Sequence, residues 1–172
     1  MNIYFKAFLF LISFSIFHFG YELTGLGFLV PFFGINESVF QHLKMAFWGY
    51  LLLSIVEYFL LKKKIKQGII NFWYSRIFTA IIIPWIVGFM WYLLPAVYGR
   101  AESLIIDLIW AVAITYLSGL FVIVIEKDIE KIQFSHRTKV VLFMLLIISA
   151  FLFVRFTYKP PWIDLFIDPE AL

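Results

Sequence analysis

Residues 77–97 read IFTAIIIPWIVGFMWYLLPAV, an unbroken stretch without a charged side chain. At a rise of about 1.5 Å per residue, a helix of that length crosses a hydrocarbon core about 30 Å thick. Four more apolar runs of comparable character occupy 7–27, 45–61, 103–125 and 140–156. Lipid offers no water to the backbone, so each run must satisfy its own N–H and C=O groups, as only a helix does. None of them alternates polar and apolar residues in the manner of membrane barrel strands. The expectation is an all-α, polytopic transmembrane helix bundle of about five spans, forming a single domain over 1–172. Pro84 inside the third span is expected to kink it.

Composition excludes the alternatives. Only 15% of the residues are charged, against about 25% in soluble domains, and mean hydropathy is +0.96. There is too little polar side chain to cover a water-facing surface, so the bilayer is the expected solvent. The chain has no cysteine, which removes disulfides, thiolate metal sites and cysteine nucleophiles. Lys6 precedes the first run as in a secretory leader. The run is longer than a leader's apolar core and ends at Glu22 and glycines rather than a cleavage pattern, so it reads as a membrane helix.

The net charge of +3 reflects orientation rather than nucleic-acid binding. Five spans place Lys6, Lys62, Lys63, Lys64, Lys66, Arg76, Lys127, Lys131, Arg137 and Lys139 on one side. Lys44, Arg100, Arg155 and Lys159 fall on the other. Basic residues gather in the cytoplasm, which predicts the N-terminus inside and the C-terminus outside. Lys62, Lys63, Lys64 and Lys66 then form a cytoplasmic cluster suited to anionic lipid head groups. Trp73, Tyr74, Trp91, Tyr92, Tyr158 and Trp162 fit interfacial belts.

Between the first two spans lies GINESVFQHLK, residues 34–44, on the predicted outer side. Asn36 or Ser38 can cap the second helix, with Gln41 completing a capping box from Ser38. Glu37 suits the positive end of that helix. Capping does not account for His42. The preceding LTGLGFLVPFF, residues 23–33, is too short to cross alone and is expected to be re-entrant or surface-lying.

An ionisable group inside a span costs about 2.5–3.5 kcal/mol and so tends to face the bundle interior. His18 and Glu22 share a helix face at i, i+4, and Asp107 lies one turn inside the fourth span. With Glu37 and His42 they converge on the outer side and are the candidate catalytic residues. His18, Glu22, His42 and Asp107 are the candidate ligands of a divalent metal such as zinc, which takes about three protein ligands and an open position. No paired-histidine motif supports this, and the same residues also suit a hydrogen-bonded knot between helices or a proton or substrate path. Glu57 and Arg76 read as an ion pair at the inner membrane edge, with Arg76 snorkelling. His136 and the acids Glu126, Asp128 and Glu130 read as a solvated charge run. In the tail, Asp164 or Asp168 could fold over the pocket mouth, or the aromatics could simply anchor at the interface.

NESVFQHLK, the following span ending in EYFLL and the terminal PPWIDLFIDP resemble a family of small prokaryotic integral membrane proteins known only as a domain of unknown function. The family motif reads Asn-Glu-Ser-Val-Trp-Glu-His-Leu-Lys. Asn36, Glu37, Ser38, Val39, His42, Leu43 and Lys44 match it, and Phe40 and Gln41 depart from it. The missing carboxylate at Gln41 argues against an essential base there. The resemblance implies a prokaryotic membrane location and no particular activity.

Three function classes remain open on sequence. They are a membrane-embedded, metal-assisted hydrolase or transferase acting on a lipid-like substrate, a small-molecule binding or transport component, and a structural partner of a membrane complex. The bulky aromatics of the first span count against the substrate-binding subunits of vitamin importers, which carry small residues there.

Overall fold

The computed structural model describes residues 1–63, 65, 68–99 and 103–168. Lys64, Lys66, Arg100 and Glu102 lie outside the described residues. The architecture is all-helical, with α1 (Ile3–Thr24), α2 (Val39–Leu61), α3 (Ile69–Tyr98), α4 (Leu104–Ile129) and α5 (His136–Tyr158). Short 3-10 turns at Gly27–Leu29 and Asp164–Phe166 complete it. All five long helices are long and apolar enough to cross a membrane.

Each helix starts and stops for a local reason. Asn2 caps α1 through its side-chain oxygen, which accepts from Tyr4 N–H at 2.9 Å. Gly25 ends that helix in the left-handed region at φ 65°, which glycine adopts without strain. Ser38 occupies the cap position of α2 in extended backbone but makes no side-chain cap bond. Asn36 Oδ1 instead accepts from Ser38 N–H at 3.1 Å, and Gln41 Oε1 is buried without a hydrogen-bond partner among the described residues. The expected capping box is therefore not formed. α3 runs as continuous helix through Pro84.

The helices are longer than the apolar runs. α2 begins six residues before 45, so His42 and Lys44 are helical and face the bundle. α3 begins at Ile69, which places Arg76 about two turns inside it. α4 continues to Ile129 and carries Glu126 with it. Hydropathy marks where the lipid is. In α2, α3 and α4 the added turns carry Lys44, Arg76 and Glu126, each with polar partners inside the protein.

α1, α2, α3 and α4 form a ring in which each packs on the next and α4 returns to α1. α5 lies outside, against α3 and α2. Buried positions on α1 fall at Lys6, Ala7, Phe10, Ser13, Phe14 and Phe17, a spacing of three and four that defines one inward face. Phe10, Tyr50, Ile83 and Ile123 meet at the centre with no exposed surface. Small residues allow close approach: a Cβ at Gly49 would lie 3.4 Å from the Phe14 backbone nitrogen. Beside it, Ser13 Oγ donates to the Gly49 carbonyl at 2.8 Å. Lipid tails provide no hydrophobic drive between helices, so this close packing and hydrogen bonding hold the bundle.

The end where α1 stops and α2 starts is here termed the cap end. Residues 25–38 fold back over it rather than crossing. Gly34 N–H donates to the Phe17 carbonyl at 2.9 Å, Phe33 packs on Phe17 and Phe32 on Trp48. Lys44, fully buried, donates from Nζ to the Val30 carbonyl at 2.9 Å and to Thr157 Oγ1 at 3.2 Å. It thereby ties the loop to α5. The tail returns to the same end, where Phe166 packs on Phe40 at 4.6 Å, and Trp162 is exposed.

At the opposite end Lys6, Glu57, Arg76 and Glu126 are buried, and Arg76 does not snorkel. Lys6 Nζ donates to Glu57 Oε2 at 2.5 Å and also to Glu126. Arg76 Nε donates to Glu57 Oε2 at 3.1 Å, and its Nη1 reaches Glu130. Tyr50 Oη donates to Glu126 Oε2 at 2.6 Å. The expected pair of Glu57 and Arg76 thus exists within a larger network joining four helices. Glu126 is buried in it rather than solvated, because the α4 helix turns that carboxylate inward. Two cations balance two carboxylates within the buried part, while Glu130 is partly exposed at its edge.

Candidate functional site

His18 projects from the last turns of α1 and His42 from the first turn of α2. Glu37 belongs to the bend that leads into α2. Their ring centroids bring His18 and His42 to 5.4 Å. Glu37 Oε2 lies 3.6 Å from His18 Nε2 and 3.4 Å from His42 Nε2. One ligand atom from each of the three falls within 4.8 Å of the others. Bonds of about 2.0–2.1 Å to a tetrahedral zinc put neighbouring ligand atoms about 3.3–3.4 Å apart, and the two observed separations are close to that edge.

The ring of His42 is held on all sides. Phe14 and Trp91 lie stacked against it at 6.3 and 5.7 Å. Its Nδ1 is 3.0 Å from the Ser38 carbonyl oxygen, which can only accept, so Nδ1 carries the proton. Nε2 is then the nitrogen turned toward the Glu37 carboxylate, as a lone pair in the neutral ring or as a second N–H in the imidazolium. Two acceptors at that distance repel unless a proton or a cation lies between them. A backbone carbonyl fixing one ring nitrogen so that the other can ligate is the usual outer-shell arrangement of a metal-bound histidine. In the absence of metal, the His18 and His42 imidazoles hold the Glu37 carboxyl far below the usual carboxylate range, outweighing the opposing effect of its partial burial.

The three residues border a cavity of about 420 Å³ inside the four-helix ring. All four helices contribute, with Phe14 and Phe19 from α1, Leu43 from α2, Val87, Gly88 and Trp91 from α3, and Asp107 and Ala111 from α4. Asp107, half-buried in the first turn of α4, borders the cavity but stands outside the close His–Glu–His group. Glu22 is exposed near the end of α1 and does not line the cavity among the described residues. Asp164 is exposed in the tail, and neither it nor Asp168 lines the cavity.

The structure therefore brings together His18, His42 and Glu37, with Asp107 on the same cavity. Helical spacing pairs His18 with Glu22, but that turn of α1 runs past the bundle into the open. Glu37 takes the place next to the rings because the chain bends at 36–37, before α2 begins, and residues outside a helix obey no i, i+4 rule. Trp91, expected in an interfacial belt, is part of the cavity wall instead.

Five apolar helices of spanning length, four of them closing around a polar-capped cavity, are the architecture of a polytopic helical membrane protein. Residues 3–171 match DUF6512, a family of unknown function, and the chain belongs to that family. No curated protein and no solved structure matches the chain.

Proposed function

We propose that His18, Glu37 and His42 bind one divalent metal ion, zinc by the chemistry of the donors, and that the protein is a membrane-embedded hydrolase or transferase acting on a lipid-like substrate. The observation that carries this is the facing of Nε2 of His42 and the Glu37 carboxylate at 3.4 Å, with Nδ1 already committed to Ser38. Two histidines and one carboxylate leave a fourth position open toward the cavity, as catalytic zinc sites do. An ion there would lower the pKa of a coordinated water to about 7 and polarise a substrate oxygen. Glu37 stays ionised at neutral pH and offsets part of the ion's charge. Asp107, on the same cavity, has the chemistry to accept a proton from the nucleophile or return it to a leaving group.

The basic-residue bias favours an N-terminus inside, in a prokaryotic cytoplasmic membrane. The cavity then faces the outer side, and exposed Lys62 and Lys63 lie inside, where anionic head groups are attracted to them.

The test is metal analysis of protein purified without added zinc, alongside His18→Ala and Glu37→Gln. About one equivalent per chain in the wild type, lost in both variants, is the expected result. A wild-type protein that neither retains nor takes up a divalent ion sinks the metal reading. Uptake of a solute by proteoliposomes without metal would favour the transport class instead.

A further inference from the structure

The cavity changes character along its length. His18, Glu37, His42 and Asp107 sit at the cap end, and the walls below them are apolar. Leu11 lies seven residues below His18 on α1, about 10 Å along the axis, and Thr115 eight residues below Asp107 on α4, about 12 Å. The two hydroxyls in that deeper part are already used by their own helices. Ser15 Oγ donates to the Leu11 carbonyl at 2.9 Å and Thr115 Oγ1 to the Ala111 carbonyl at 2.8 Å. The lower cavity therefore offers hydrocarbon almost alone.

The α1–α4 seam explains where this space opens. At its lower end the two helices touch closely: a Cβ added at Gly119 would lie 2.9 Å from Phe10 Cδ1 and 3.7 Å from Ala7 Cα. Toward the cap end the same seam is bordered by Ser15 and Phe19 on one helix and Leu108 and Val112 on the other, all lining the cavity. Phe19, Leu108 and Val112 are 48%, 61% and 46% exposed on a surface that faces lipid rather than water.

We infer that the α1–α4 seam is a lateral portal, and that the cavity takes a single-chain segment of a membrane amphiphile. The hydrocarbon chain lies between Leu11 and Ala111, and an oxygen-bearing head group is held at His18, Glu37 and His42. The volume fits the range of small-ligand sites, about 300–1,000 Å³. A polar end joined to an apolar shaft is complementary to an amphiphile rather than to a sugar. This deepens the metal reading and rests on it for what happens to the head group, while the chain site stands on the portal geometry.

The experiment uses the full chain in lipid nanodiscs with a fatty acid bearing a diazirine near its methyl end. After irradiation the labelled positions are mapped by peptide mass spectrometry and metal is measured on the same samples. Labelling concentrated on Leu11, Ser15, Leu108 and Ala111, displaced by unlabelled fatty acid, is expected. Ala111→Trp, which fills the shaft, should lower that labelling at least several-fold with metal content unchanged, and the displacement result carries the test if this variant does not fold. Labelling spread evenly over lipid-facing residues such as Phe121 and Met144 overturns the inference. So does labelling concentrated on the separate groove of Trp85, Phe89 and Leu165. Bound metal without cavity labelling overturns the chain site and spares the metal, whereas cavity labelling without metal does the reverse.

Discussion

Nδ1 of His42 lies 3.0 Å from the Ser38 carbonyl oxygen, and that contact decides which ring nitrogen is turned toward Glu37. The residue before a helix thus sets the ring orientation of a residue within it. The metal reading depends on this relationship more than on any count of histidines.

The ligand set separates sharply from its neighbours. His18→Ala, His42→Ala and Glu37→Gln should each weaken divalent-ion binding by more than the 10–100-fold typical of outer-shell changes. Glu22→Ala should leave it unchanged, because that carboxylate is exposed and does not line the cavity. Equilibrium dialysis with elemental analysis distinguishes the two outcomes.

Acid should act through Glu37. Its folded-state pKa lies below its ordinary value of 4.5, so the carboxylate's contribution to stability is complete above about pH 4.5 and drains away as pH falls further. Glu37→Gln should therefore flatten the pH dependence of thermal stability on the acid side while leaving the slope above that range little changed. Unfolding followed in detergent across the acid range measures both. Metal binding should also weaken on acidification, since imidazoles must lose their protons to ligate.

The buried network is a matched set, and removing one member leaves the others unpaired. Lys6→Met deprives Glu57 and Glu126 of a shared cation in a site closed to water. A loss of about 3–5 kcal/mol is expected, as for other broken buried pairs. Removing Glu57 in the same chain, as Glu57→Leu, should recover part of it, and the double-mutant cycle reads the coupling. A loss in the double variant equal to the sum of the two single losses would show that the pair is not coupled.

Phe33, in the loop over the cap end, should control the site without belonging to it. A Cβ at Gly20 would fall 2.0 Å from the Phe33 ring, which packs on Phe17. Gly20→Ala is expected to cost about 1–3 kcal/mol through overpacking. It should also weaken metal binding although all three ligands remain, because the displaced loop carries Glu37. Unchanged affinity would mean that Phe33 reorients without moving residues 34–37.

His18 and Asp107 were legible as candidates because an ionisable side chain in an apolar run needs a reason to be there, and His42 because helix capping did not account for it. Glu37 was legible as a polar residue near a helix start but not as the partner of both rings. Its position depends on where α2 begins, and that boundary lies six residues outside the hydropathy signal. Glu126 was hidden for a related reason, since it opens a charged segment that looks solvated until α4 is seen to continue through it.

By itself, the sequence determined the class of fold. Apolar runs of spanning length and too few charges leave the backbone no alternative to a helix bundle in lipid. Tertiary structure alone decided which polar groups meet. The chemistry of this protein is assembled by contacts between helices, across sequence separations of 19 residues from His18 to Glu37 and 120 from Lys6 to Glu126. Packing sets those contacts, and no local periodicity encodes them.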